Sequence, residues 1–168
     1  ALIVTDPFLA TLKDGAVEQA VRYLNEVGIK TTIFSKVQAN PKDTDVTAGL
    51  ACYQDNHCDM SVTVGGGSPH DCGKAIGIMA THPGKIGDYA GIDTLTNPLP
   101  PIVAVNTTAG TASEVTRHCV ITDTKSQLKY VIVSWRNLPL VSINDPVLML
   151  GKPRALTAAT GMDALTHA

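Results

Sequence analysis

Asp163 and His167 stand four residues apart, so a helix through them shows both side chains on one face. A carboxylate and an imidazole placed in this way can share one divalent metal. The same run also has a plainer reading. Thr160-Gly161-Met162-Asp163 has the spacing of a capping box with Asp in place of Glu, which leaves His167 an ordinary helical residue. A second group stands where the apolar run Val62-Thr63-Val64 enters Gly65-Gly66-Gly67-Ser68-Pro69. Glycines without Cβ atoms let a ligand lie against the backbone. Ser68 suits an N-cap, and Pro69 suits a first helical position that needs no N–H. The N–H groups of a helix start attract phosphate. These features predict a strand–loop–helix phosphate cradle, although the pattern is neither G-x-G-x-x-G nor a Walker loop, and a ligand-free turn has the same composition.

A third group is Asn106–Glu114, where Thr107, Thr108, Thr111 and Ser113 surround Gly110. Hydroxyls donate and accept, so such a loop can hold phosphate oxygens and sugar hydroxyls together. Without a ligand it reads as a loop in which Thr111 or Ser113 caps a short helix. A fourth candidate is Asp6, at the end of the run Ala1–Thr5. A carboxylate there can accept from both ribose hydroxyls of an adenosine and repels a 2′-phosphate. It can equally be a turn-forming Asp before Pro7.

Strands and helices must position these groups. Ala1–Thr5, Thr31–Phe34, Val62–Val64, Ile102–Val105, Leu128–Ser134 and Leu140–Ile143 read as strands. Ala16–Val27 is predicted as an amphipathic helix with Val17, Ala20, Val21, Leu24 and Val27 on one face, stopped by Gly28. Asp45–Asn56 and the run through Lys74–Ala80 are predicted helices, with His57 and Asp59 solvated between them and the next strand. Thr81–Pro101 reads as a long Gly- and Pro-rich connection in which His82 is expected to be exposed. His118 and Cys119 read as structural, because no second ligand stands at metal-binding spacing. Strands alternating with helices predict an α/β fold, a Rossmann-like, mostly parallel sheet covered on both faces. After Gly151 the apolar residues are only Ala, Leu and Met, which predicts the start of a helical region. The expected division is 1–150 for the α/β part and 151–168 for that helix.

Composition narrows the function classes. With 44% hydrophobic and 17% charged residues, the 168-residue chain can bury a real core. A net charge of −2 without a basic run argues against a nucleic-acid surface. No apolar run is long enough to cross a bilayer. The four cysteines form no C-x-x-C pair, which suits free thiols in a reducing cytoplasm. The chain opens inside a strand-like run and stops without a cap, as expected of a segment of a longer protein.

Together these runs resemble the iron-dependent (group III) alcohol dehydrogenases along essentially the whole chain. The residues that carry the resemblance are Ile3–Asp6, Gly65–Asp71, Thr107–Glu114 and Ala159–Ala168. Gly67–Lys74, Thr116–Cys119 and Ser142–Pro146 look most like the 1,3-propanediol dehydrogenases within that family. The resemblance implies a dehydroquinate synthase-like architecture, NAD and Fe2+ as cofactors, and iron-assisted hydride transfer between a primary alcohol and its aldehyde, here 1,3-propanediol and 3-hydroxypropionaldehyde. It implies a cytoplasmic homo-oligomer at full length, with a small-molecule alcohol or aldehyde as the substrate. Carried over by position, Asp6 would hold the adenosine ribose, Asn40 would lie near the adenine end, and Gly66, Gly67 and Ser68 would cradle the pyrophosphate. Thr107, Thr108, Thr111 and Ser113 would contact the phosphates and the nicotinamide side, and Lys129 would reach a cofactor ribose. Asp163 and His167 would be two of the iron ligands, with two further histidines expected on later helices. Two other readings stay open: a nucleotide-binding module without catalysis, and a zinc-dependent relative such as a glycerol dehydrogenase.

Overall fold

The computed structural model describes residues 1–168. In chain order the elements are β1 (Leu2–Val4), α1 (Ala16–Glu26), β2 (Thr32–Phe34), α2 (Asp43–Asp55), β3 (Ser61–Gly65) and α3 (Gly67–Thr81). There follow β4 (Gly91–Ile92), β5 (Ile102–Asn106), β6 (His118–Thr122), β7 (Lys129–Val133), β8 (Val141–Ile143) and α4 (Arg154–His167). Five strands form one parallel sheet in the order β2-β1-β3-β5-β8.

Alternation along each strand sends side chains to opposite faces. Leu2 and Val4 join Phe34, Val46, Ala75 and Ile76 in the core beneath α2 and α3. Ile3, between them, joins Val17, Val62, Val64 and Val105 on the face covered by α1. The sheet is thus sandwiched by helices, as a parallel sheet must be. Strand order reverses at β1, which has β2 on one side and β3 on the other. The crevice outside the carboxyl ends of the strands at such a point is where open α/β sheets bind ligands. Asp6 and the glycine loop both lie at this end.

Several expectations are corrected. A second sheet, in the order β4-β7-β6, covers the α3 side, and its strand β6 pairs antiparallel with β7. Cys119, Ile121 and Ile132 of this sheet enter the main core. Neither β4 nor β6 is legible in the sequence, because β4 has only two residues and β6 follows directly on a polar loop. α1 ends at Glu26, and Val27 is exposed rather than on the core face. α2 starts at Asp43, because the Asp45 carboxylate accepts the Lys42 N–H at 3.1 Å and so sets the first turn two residues earlier. His82 is buried rather than exposed. Its Nε2 accepts the backbone N–H groups of Thr96 and Asn97 at 3.1 and 3.0 Å, which ties down the long connection.

α4 begins at Arg154, so Thr160 lies mid-helix with its hydroxyl donating to the Leu156 carbonyl at 2.9 Å. The capping-box reading of Thr160–Asp163 therefore falls, and Asp163 is an interior helical residue.

Candidate functional site

The cradle is built by a sharp exit from β3. Gly65 has φ +148, a conformation side chains rarely adopt, and a Cβ there would stand 2.6 Å from Pro69 Cγ. α3 then starts at Gly67 with Gly66 as N-cap, earlier than Ser68 and Pro69 predict. Extended backbone at Gly66 fills the capping position, and no side chain caps this end. Pro69 falls at the third helical position, where its missing N–H still costs no helical bond. The His70 N–H closes the first turn on the Gly66 carbonyl at 3.3 Å.

The threonine loop leans on these glycines. The Thr107 N–H donates to the Gly65 carbonyl at 2.8 Å. A Cβ on Gly66 would meet Thr108 Oγ1 at 2.8 Å, and one on Gly67 would meet Thr111 Oγ1 at 2.9 Å. The close approach of hydroxyls and bare backbone is what a phosphate cradle requires. Thr111 does not cap a helix from the N-cap position. Ala112 holds that place in a left-handed conformation, and Thr111 Oγ1 accepts the Ser113 N–H at 3.2 Å ahead of a single 3-10 turn at Ser113–Val115.

α4 approaches the same loop. A Cβ on Gly110 would stand 3.0 Å from Thr160 Cβ and 3.3 Å from Asp163 Oδ2. Asp163 Oδ1 and His167 Nε2 are 3.5 Å apart on the face of α4 that meets the cleft. On another wall, Lys129 Nζ donates to Asn40 Oδ1 at 2.9 Å.

These walls enclose a cleft of about 580 Å³. Its lining joins eight of the residues singled out from the sequence: Asn40, Gly67, Ser68, Thr111, Ser113, Lys129, Asp163 and His167. Gly66, Thr107 and Thr108 are not among its lining residues. Asp6 lies off the cleft at the end of β1, where its Oδ1 accepts the Leu9 N–H at 2.9 Å.

Asp71, Thr116 and His118 also line the cleft, where the sequence assigns no site role to the first two and predicts a structural His118. Asp71 follows Ser68 by one helical turn, a spacing that could have shown it. His118 alternates with the core residue Cys119 along β6, a period-2 signal lost when that strand went unrecognised.

Asp71 is almost enclosed. Its Oδ1 accepts the Ser113 hydroxyl at 2.6 Å, and its Oδ2 accepts the Val120 N–H at 3.2 Å. Burial pushes its carboxyl up, opposed first by the Ser113 bond and then by the Lys74 charge. Burial in turn pushes the Lys74 ammonium down, opposed by Asp71. Next to them His70 is buried, with Nδ1 2.7 Å from Thr63 Oγ1 and no partner at Nε2. Burial, then the Lys74 charge, brings its pKa from 6.5 to about 4.

The model of the family described as iron-containing alcohol dehydrogenase matches residues 1–146. The chain belongs to that family. It is 70% identical to a 1,3-propanediol dehydrogenase of Klebsiella pneumoniae over all 168 of its residues, which cover 43% of that relative. The crystal structure of a 1,3-propanediol oxidoreductase matches with a TM-score of 0.95 at 70% identity, over 99% of this chain and 43% of that one. A sulfoacetaldehyde reductase from Bifidobacterium kashiwanohense, solved in complex with NAD+, matches with a TM-score of 0.81 at 35% identity, over 96% of this chain and 42% of that one. The chain therefore spans less than half the length of these iron-containing alcohol dehydrogenase relatives.

The donor chemistry of Asp163 and His167 fits two positions of a site for iron or another first-row divalent metal. No group of three or more His, Cys, Asp or Glu gathers around a common point in these 168 residues. No helix is long and apolar enough to cross a membrane.

Proposed function

We propose that this chain carries the dinucleotide site and the first two metal ligands of an NAD-dependent, iron-containing alcohol dehydrogenase. The substrate pair is 1,3-propanediol and 3-hydroxypropionaldehyde. The observation that carries the reading is convergence. The α3 cradle, the threonine loop and the Asp163/His167 pair share one cleft, although they come from three separate stretches of sequence. The 70% identity to a 1,3-propanediol dehydrogenase supports the substrate. The NAD+ complex of a structural relative supports the cofactor.

In this reading residues 1–150 form the cofactor part and 151–168 begin a helical metal-binding part. α4 buries none of its residues and leaves Leu156, Met162 and Leu165 exposed, as expected of a helix whose packing partners come from such a part. The N–H groups at the start of α3, with Gly66, Gly67 and Ser68, bind the pyrophosphate. Thr107, Thr108, Thr111 and Ser113 hold phosphate and ribose oxygens on the nicotinamide side. Lys129 and Asn40 close the opposite wall, and Asp6 takes the adenosine ribose. Asp163 and His167 would supply two of the metal's ligands, a carboxylate oxygen and an imidazole nitrogen. When bound, that metal supplies Lewis acidity that lowers the pKa of the alcohol, and the dinucleotide accepts or donates the hydride. The chain's own contribution is placement: the cradle, the threonine loop and the Asp163/His167 pair line one cleft. The unpaired thiols suit a cytoplasmic enzyme.

Reduction of NAD+ by the whole iron-loaded protein on addition of 1,3-propanediol tests this reading. Turnover that disappears on chelation and returns with Fe2+ supports it. Dinucleotide binding without turnover on any primary alcohol would reduce the chain to a nucleotide-binding module.

A further inference from the structure

Lys74 is fully buried and is the largest side chain in the chain with no exposure at all. It lies on α3, two turns beyond the cradle glycines. Its Nζ has four oxygens around it: the Ser113 carbonyl at 2.7 Å, the His118 carbonyl at 2.8 Å, the Thr116 carbonyl at 2.9 Å and the Ser113 hydroxyl at 3.2 Å. A cation in such a place is costly to desolvate, and an apolar side chain would fill the same volume without that cost. What an apolar side chain lacks is donors. Three carbonyls converging on one point need a group with three N–H directions, and an ammonium is such a group.

The segment that offers those carbonyls contains only one 3-10 turn before β6. Among its residues, Ser113, Thr116 and His118 all face the cleft. Asp71, one turn before Lys74 on the same helix, adds the bonds to the Ser113 hydroxyl and the Val120 N–H. The wall formed by residues 111–118 is therefore fastened to α3. The first turn of that same helix is the cradle.

We propose that Lys74 is a positioning residue for the nicotinamide side of the cleft, locking the 111–118 wall to the helix that holds the pyrophosphate. It touches no ligand. It fixes the distance between the phosphate site and the wall against which the nicotinamide ribose lies. This inference rests on the dinucleotide reading above.

The test uses the whole protein with Lys74→Met, of similar length but without donors. Two probes are titrated: ADP, which lacks both the nicotinamide and its ribose, and NADH, followed by its own fluorescence. Amide hydrogen exchange across residues 111–118 is read without ligand. The expected result is ADP affinity within about two-fold, NADH affinity lower by about ten-fold with an altered nicotinamide emission, and faster exchange in the wall. Unchanged wall exchange, or equal losses for the two probes, overturns the proposal. If the unsubstituted protein binds neither probe, the cofactor reading fails, and this inference falls with it. If Lys74→Met does not fold, Lys74→Leu, which also lacks donors, is read in the same way. Failure of both to fold makes Lys74 a residue of the core, and overturns the positioning role.

Discussion

Asp163 Oδ1 lies 3.5 Å from His167 Nε2, across one turn of α4 and at the edge of the cleft that also holds the cradle. Both side chains are substantially exposed, at 42% and 68%. An exposed pair at this spacing adds little stability as an ion pair, so its removal should cost ligand rather than fold. In the whole protein His167→Ala is expected to lose stoichiometric metal while its melting temperature without metal stays unchanged. Elemental analysis after anaerobic purification measures this. Full metal content in the variant would return His167 to an ordinary helical role.

The glycine cradle gives a sharper steric prediction. A Cβ at Gly66 meets Thr108 Oγ1 and Cγ2, both at 2.8 Å, closer than real Cβ contacts allow. The backbone there has φ −97, which any residue can adopt, so strain is not the issue. Gly66→Ala should therefore fold and push the Thr108 side chain into the space a phosphate would use. A loss of NADH affinity of about ten-fold or more is expected, since a shift near 1 Å at a binding centre has effects of that size or larger. Calorimetric titration of the variant checks it. Affinity equal to that of the unsubstituted protein would show that no ligand phosphate approaches Gly66.

Asp6 is not a cleft residue, yet it stands at the switch in strand order, beside β2 and β3 at their carboxyl ends. Only Oδ1 has a protein partner, the Leu9 N–H at 2.9 Å, which leaves Oδ2 for a ribose hydroxyl. A carboxylate in that position repels a 2′-phosphate. Asp6→Gly is expected to shift the ratio of NADP+ to NAD+ efficiency upward by about ten-fold or more. Steady-state rates with the two cofactors measure it, and an unchanged ratio would leave Asp6 as a turn former.

What was legible in the sequence follows from range. The β-branched runs of β1, β3 and β5 announce themselves, because a strand buried on both faces must be continuously apolar. The cradle is legible because Gly65, Gly66 and Gly67 leave no local alternative to a tight exit from a strand. The second sheet is not legible. β4 has two residues, and β6 follows a polar loop, so neither carries enough period to outweigh its neighbours. His82 misled for a different reason. Nothing local shows that two amides fourteen and fifteen residues later will donate to its ring. Lys74 also depends on contacts from 39 to 44 residues away, so its burial has no local signal in the sequence.

His70 supplies a prediction about pH. It is buried in the first turn of α3, and its pKa falls from 6.5 to about 4, through burial first and the Lys74 charge second. The folded protein therefore holds this imidazole neutral over a range in which the unfolded chain protonates it. Above pH 6.5 neither state gains the proton, and His70 adds no pH dependence. As pH falls from 6.5 to 4, only the unfolded state takes it up, so stability declines. Below about 4 both states are protonated and the loss is complete. At 1.36 kcal/mol per pKa unit the total is about 3 kcal/mol. Urea unfolding at a series of pH values between 7 and 4 measures the decline, and His70→Gln isolates the share due to this ring. The variant retains groups that can pair with the Thr63 hydroxyl, which lies 2.7 Å from Nδ1, and it cannot titrate. Its stability should fall less steeply than that of the unsubstituted protein over this interval. Parallel slopes would mean that the folded protein accepts the proton at no cost, through a partner for Nε2 that the structure does not contain.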